Sequence, residues 1–315
     1  MATHIIPDIH GRIEKLEGAL SSLGFSHRNG AWRHSAGDTV VFLGDFIDRG
    51  PSGRGVLRIV RDMMEAGLAH AVMGNHELNA IHYHTEDPST GEALRSRSEK
   101  NTRQHSTFLH EFPVGSKQAA EAIEWMKSLP LAIEFEDFRA VHACWDNSAV
   151  GRLRELSPDL VLGEELFHQA ATKGHPVKAD VEQIAKGPDL VLPAGYGIYD
   201  EEGTRRERVR VKWWGGRSTS WRDLAMSVAD PTELPSGNAP GDAVEFLYGA
   251  DELPVFFGHY WMQGTPELQA GNALCLDYSA GRDGPLVTYR HERGAPLSTV
   301  NICVHENQPR TLVRG

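Results

Sequence analysis

The sequence predicts an α/β fold, and the first observation behind that prediction is an alternation. Between positions 5 and 75, short apolar runs alternate with helical patterns, which reads as βαβαβ and argues for a parallel sheet. The second observation is that each apolar run is followed at once by polar residues, at Asp8, Asp45 and Asn75. The third is a C-terminal part, beyond position 254, that breaks into strand-like runs.

The elements follow in order. Ile5 and Ile6 end a short strand at Pro7-Asp8. A helical face of Ile13, Leu16, Leu20 and Leu23 comes next, with Gly24 as its stop. The run 39–43 is a buried strand ending at Gly44-Asp45. A second helix carries Val56, Leu57, Val60, Met63 and Met64 and stops at Gly67. Residues 71–73 form a third strand before Gly74-Asn75. The stretch 82–118 is polar and reads as a loop or a solvated helical insertion. A helix over 119–129 ends at Pro130, and a hairpin over 132–135 and 138–142 ends in His142. Residues 146–250 read as an elaboration around the substrate side of a single domain spanning 1–310. A strand over 254–257 then ends at Gly258-His259, and strand-like segments follow at 273–278, 286–289 and 299–304.

Composition narrows the function. The chain has 315 residues, 40% hydrophobic and 24% charged, which is ordinary for a globular protein with a sizeable core. A net charge of −11 gives no bulk attraction to nucleic acid or anionic membranes, so a nucleic-acid partner is not expected. Cys144, Cys275 and Cys303 show no CxxC spacing and read as free thiols. No signal peptide and no apolar run of membrane-spanning length is visible, so a cytoplasmic protein is expected.

The chemistry lies in a few short phrases: Asp8-Ile9-His10-Gly11, Gly44-Asp45-Phe46-Ile47-Asp48-Arg49-Gly50, Gly74-Asn75-His76-Glu77, and the isolated His142 and Gly258-His259. Ligands in open α/β sheets bind at the carboxyl ends of strands, so these phrases should converge on one edge. Their oxygen and nitrogen donors suit manganese, the expected ion, or iron, zinc, nickel or magnesium, more than a soft metal. Asp8 and His10 point to the same side by period-two geometry, Asp45 is the natural bridge between two ions, and Asn75, His142 and His259 complete the second. Two ions roughly 3.5–4 Å apart make a hydroxide nucleophile from a shared water and stabilise phosphoryl charge. Arg49 offers a planar fork for phosphate, His76 can act as the acid, and Asp48 can hold that imidazole protonated.

These phrases resemble the calcineurin-like metallophosphoesterase superfamily and, within it, the phosphoprotein phosphatase branch in its bacterial type. The resemblance covers about 1–80, 130–145 and 254–290. It implies a central β-sandwich of mixed sheets flanked by helices, with two metals at the strand ends. Asp8, His10, Asp45, Asn75, His142 and His259 match the metal ligands, His76 and Asp48 the acid pair, and Arg49 a phosphate-binding arginine. Pro7 and Cys144 stand where the pattern has glycine. The second phosphate-gripping arginine has no clear match, and Arg217, after Trp213-Trp214, is taken for it.

Each residue has a plainer reading. Asp8 could cap the following helix, and Asp45 and Asp48 could be turn residues, but neither explains the convergence of phrases. Trp213 and Trp214 read as core or lid packing, and Glu77 as structural support. His4, His27, His34, His82, His84, His105 and His110 are given no role. The leading expectation is a phosphomonoesterase of the serine/threonine protein phosphatase type, acting on a phosphorylated protein or small phosphoester. The alternative is a symmetrical bis(nucleosyl)tetraphosphatase, and a third reading is a non-catalytic phosphate-binding module. The sequence leaves the oligomeric state open.

Overall fold

The computed structural model describes residues 1–199, 205–214, 219–244 and 246–306. Its centre is two mixed sheets packed face to face, as the resemblance implies. In the first half of the chain, β1 (Thr3–Ile6), β4 (Thr39–Phe42) and β5 (Ala69–Ala71) lie parallel, with Ile6 beside Phe42 and Phe42 beside Ala71. Between β1 and β4 stands a hairpin of β2 (Phe25–Arg28) and β3 (Ala31–His34). The second sheet begins with the antiparallel pair β6 (Ala132–Glu134) and β7 (Arg139–Val141).

The 146–250 region adds small pieces: β8 (Asp189–Val191), β9 (Ile198–Tyr199), β10 (Arg205–Arg206), β11 (Arg208–Val211) and β12 (Ala225–Met226). Beyond it come β13 (Val255–Phe257), β14 (Ala273–Cys275), β15 (Leu286–His291) and β16 (Ile302–His305). The five-stranded sheet runs β16-β15-β1-β4-β5 and the four-stranded sheet β14-β13-β7-β6.

Strand alternation explains why both sheets are covered on both faces. Ile5 and Val41 point into the sandwich, where they meet Ala140, Phe256 and Leu274 of the facing sheet. Their neighbours Ile6, Val40 and Phe42 point outward into a core shared with helices. Those helices are α1 (Ile13–Ser22), which buries Leu16, Ala19 and Leu20, and α2 (Gly53–Glu65), which buries Val56, Val60 and Met63. Further along come α3 (Asn75–His84), α4 (Glu99–Gln104), α5 (Ser106–Glu111) and α6 (Lys117–Lys127). Over the second sheet lie α7 (Asn147–Leu156), α8 (Glu164–Ala171) and α9 (Pro176–Lys186), whose Val150, Leu153, Phe167, Val181 and Ile184 join the same core. The short α10 (Trp221–Leu224) caps a separate apolar cluster built on Leu190, Val209 and Val211.

Several expectations need correction. The third strand ends at Ala71, and Val72 and Met73 lie beyond it, with Met73 N–H donating to the Pro130 carbonyl at 2.8 Å. The β2–β3 hairpin was not expected; Asn29 and Gly30 turn it with φ of +50° and +81°. The expected C-terminal strands are shorter, since one ends at Cys275 and another begins at Ile302 after a single 3₁₀ turn. The 82–118 stretch is only partly solvated, because His105 and Phe108 are buried. Trp213 and Trp214 pack as core residues against Phe257, and Trp213 Nε1–H donates to the Ala143 carbonyl at 2.9 Å.

Candidate active site

Most of the expected site residues stand in the loops just after strands, while Asn75 and His76 open α3. The loop after β1 and the loop after β4 are tied together along their backbones. Ile9 and His10 N–H both donate to the Asp45 carbonyl, at 3.0 and 2.8 Å, and Gly11 N–H donates to Phe46. Gly44, at φ +91°, lets the β4 loop pass against Gly74, where a Cβ would meet the Gly74 nitrogen. Glu77, in the first turn of α3, accepts the N–H groups of Asp45 (2.8 Å), Phe46 (2.9 Å) and Gly74 (3.0 Å). The carboxylate thus holds two loops in register, the support expected of it. Asp8 caps no helix: α1 begins at Ile13, and Asp8 accepts the His259 N–H instead, at 3.2 Å from each oxygen.

Asp45 lies at the centre. Its Oδ2 is 3.5 Å from His10 Nε2, and its Oδ1 is 3.5 Å from His142 Nε2. Asn75 Oδ1 meets His142 Nε2 at 3.1 Å and His259 Nδ1 at 2.8 Å. The six expected ligands therefore come together, with the two Asp45 oxygens facing two different histidines. Backbone carbonyls orient two rings, Ile47 at His10 Nδ1 (3.0 Å) and Leu43 at His142 Nδ1 (2.8 Å). That leaves each Nε2 facing the carboxylates, as a ligating histidine requires.

The arrangement fits divalent ions. Donor atoms of Asp8, Asp45 and His142 lie within 4.8 Å of one another, as do those of His10, Asp45 and His76. His10 Nε2 and His259 Nε2 are buried without a hydrogen-bond partner. Asp8, Asp45 and Asp277 are buried together, and such a cluster of carboxylates calls for cations. Burial, then the charges of Asp277 and Asp45, drive the Asp8 pKa well above the ordinary range. Burial lowers the His10 pKa to about 3 and holds that of His259 well down, leaving neutral imidazoles suited to ligation.

Beside this group, His76 Nδ1 is 2.6 Å from Asp48 Oδ2, and its Nε2 is 4.0 Å from Asp45 Oδ2. Burial opposes its protonation, but the charge of Asp45 and the hydrogen bond to Asp48 outweigh burial and raise the pKa. Asp48 is itself held at about 2: burial works upward, and hydrogen bonds from His105 and His76 more than offset it. Arg49 is exposed at the mouth, its guanidinium carbon 3.9 Å from the Trp261 ring centre. Arg217 lies outside the described residues. Many of these residues carry strained backbones, since His10, Asp45, Asp48, Arg49, His259 and Trp261 all have φ between +50° and +75°.

Some participants escaped the sequence. His105, given no role, has its Nδ1 2.9 Å from Asp48 Oδ1. Asp277 accepts the Trp261 N–H at 2.8 Å and the Ser279 N–H at 2.9 Å. Arg210, exposed on β11, places its charge near His259 and disfavours protonation there, after burial itself. These residues sit in no motif, and only the folded chain brings them to the site.

The chain is similar to several known proteins. The asymmetrical bis(5'-nucleosyl)-tetraphosphatase PrpE of Oceanobacillus iheyensis is 28% identical over 194 residues, covering 61% of this chain and 76% of that protein. The symmetrical bis(5'-nucleosyl)-tetraphosphatase of Vibrio parahaemolyticus is 27% identical over 170 residues, covering 53% and 54%. Among solved structures, a serine/threonine phosphatase of Saccharomyces cerevisiae with similarity to human phosphatase PP5 aligns at a TM-score of 0.51 and 14% identity, covering 98% of this chain and 81% of that one. Its likeness is one of fold. A family model described as calcineurin-like phosphoesterase matches residues 1–192. With its donor cluster, its paired His76 and Asp48 and this match, the chain belongs to the calcineurin-like phosphoesterase family.

Proposed function

We propose that this chain is a two-metal phosphohydrolase that cleaves dinucleoside polyphosphates, with His76 as the acid that protonates the leaving oxygen. The observation that carries the reading is His76 Nδ1 at 2.6 Å from Asp48, with its other nitrogen 4.0 Å from Asp45, one of the residues that would hold the ions. Asp8, His10, Asp45, Asn75, His142 and His259 would hold those ions. When bound, two divalent cations supply charge neutralisation at the phosphoryl group and a water that ionises near neutral pH.

The chain's own groups do the rest. Asp48 keeps a proton on Nδ1 of His76 and favours the imidazolium, so Nε2–H can be given to the departing oxygen. Arg49, unpaired among the described side chains and stacked on Trp261, can grip a phosphoryl oxygen pair as a fork. The strained loops around Asp45 and Asp48 fix these groups before substrate arrives.

Relatives named as tetraphosphatases support the dinucleotide substrate over the phosphoserine and phosphothreonine reading. The protein phosphatase reading rests on likeness of fold. A reducing, cytoplasmic setting belongs to the same proposal. Its support is that Cys144, Cys275 and Cys303 are free thiols and that no described helix is long and apolar enough to cross a membrane. The test is one panel with manganese: diadenosine tetraphosphate, phosphoserine and phosphothreonine peptides, a phosphotyrosine peptide and a phosphodiester. The tetraphosphate should turn over fastest, and its products, two ADP or ATP with AMP, give the cleavage position. Faster turnover of a phosphopeptide would overturn the substrate assignment, and no turnover with any of several metals would overturn the enzyme.

A further inference from the structure

Arg49 is not the only guanidinium on Trp261. Arg282, on the turn after Asp277, has its guanidinium carbon 4.1 Å from the same ring centre. The Arg282 charge acts directly on Arg49, so two like charges are gathered at one ring against their repulsion. Neither side chain forms an ion pair with a described carboxylate. Cation–π contact explains how each is held and leaves both forks without an anion.

The turn that carries Arg282 is tightly built. Lys15 Nζ donates to the carbonyls of Ala280 (2.7 Å), Arg282 (3.0 Å) and Gly284 (2.8 Å), and Arg12 donates to that of Gly281 at 3.2–3.3 Å. The Arg282 N–H closes the turn onto Ser279 at 2.9 Å. Buried Asp277 ties the two halves together: one oxygen takes the Trp261 N–H, and the other takes the Ser279 N–H. Gly281 lies so close to the His10 ring that a Cβ would collide with it. The backbone of the turn therefore rests against a candidate metal ligand, and its exposed arginine reaches toward solvent beside the centre.

We propose that Arg282, held with Arg49 on the Trp261 ring, forms a second phosphoryl subsite beside the metal centre, which takes the phosphoryl group next to the one that Arg49 grips. This rests on the reading of the centre as a phosphohydrolase. The chemistry that would recognise the subsite is a phosphoanhydride: two adjoining phosphoryl groups carry the extra negative charge that a lone phosphoryl, already met by the ions and Arg49, lacks. Arg282 would then select chains of phosphate over simple monoesters. The indole would hold each fork in place so that neither needs to reorder on binding.

Calorimetric titration of manganese-loaded protein with orthophosphate and with imidodiphosphate, a non-hydrolysed diphosphate, tests the subsite without turnover. The wild type should bind imidodiphosphate more tightly than orthophosphate. Arg282→Gln should weaken imidodiphosphate about tenfold, as expected for one charged fork, and orthophosphate by about threefold or less. Arg282→Lys, which keeps the charge and loses the fork, should fall between. Arg282 is exposed, so these variants should melt like the wild type. Equal losses for both anions, or no loss for imidodiphosphate, would overturn the subsite while leaving the hydrolase reading intact. Wild type that binds neither anion would overturn both.

Discussion

His105 and His76 hold the same carboxylate from opposite ends: His105 Nδ1 is 2.9 Å from Asp48 Oδ1, and His76 Nδ1 is 2.6 Å from Asp48 Oδ2. His105 stacks on buried Phe108 of α5, at 4.7 Å between ring centres, so the insertion over 82–118 is pinned to the acid. His105→Leu removes one partner of a buried carboxylate and lets Asp48 turn. The expected loss in kcat is about tenfold or more, typical of partners that orient a catalytic group. His105→Asn, which restores an N–H donor near the Nδ1 position, should recover most of it. A structural role alone would lower the melting temperature of both variants and leave kcat of the folded fraction unchanged.

The acid itself is open to a pH measurement. Burial lowers the His76 pKa, yet the charge of Asp45 and the bond to Asp48 raise it beyond the ordinary histidine value. For a histidine whose folded pKa is raised, the stabilising partnership is complete below the unfolded value of about 6.5 and is lost as pH rises through the folded value. Activity that needs the acid falls on the same side. Asp48→Asn should therefore move the alkaline limb of the kcat profile to lower pH. A limb that stays in place would remove Asp48 from this role.

His76→Asn separates acid from ligand. Donor atoms of His76, His10 and Asp45 lie within 4.8 Å of one another, so the ring is near enough to a metal to raise the question. As an acid, His76 should leave metal content nearly intact when replaced, while kcat drops about 10²- to 10⁴-fold. Elemental analysis beside the rate decides it, and loss of both ions would make His76 a ligand.

Asp45→Asn should do the reverse. Each Asp45 oxygen faces a different histidine, His10 or His142, so loss of its charge reaches both halves of the centre. Metal content should fall, and a chelator should cease to shift the melting temperature. In the wild type, ions at a hundredfold excess over Kd contribute about 2.7 kcal/mol to stability, which chelation removes.

Much of this was legible in the sequence because the ligands follow strands directly: Asp8, Asp45 and Asn75 each sit where an apolar run ends. The βαβαβ alternation is legible for the same reason, since the runs are near-continuously apolar as doubly covered strands require. The hairpin signal was present at Asn29-Gly30, but His27, Arg28, Arg33 and His34 blur the apolar alternation around it. His105 could not be read, because its partner is 57 residues away and it lies among other histidines in a polar stretch. Trp261, Asp277 and Arg282 meet Arg49 only once the tail has folded back against the first loops, and no local pattern encodes such a meeting.

Glu77 links stability to the centre. It is fully buried, and its two oxygens accept the N–H groups of Asp45, Phe46 and Gly74. Glu77→Gln keeps the shape but offers a single accepting oxygen, and its NH₂ is turned toward at least one of those donors. Buried donors left unsatisfied cost about 1–3 kcal/mol. Urea unfolding of the metal-free protein should show that loss as a lower midpoint at an unchanged slope. The loaded enzyme should also bind its ions more weakly, because the backbone that presents Asp45 has lost its brace. A variant with the wild-type midpoint and wild-type metal affinity would mean that the two loops hold each other without Glu77, through the Ile9 and His10 bonds to the Asp45 carbonyl alone.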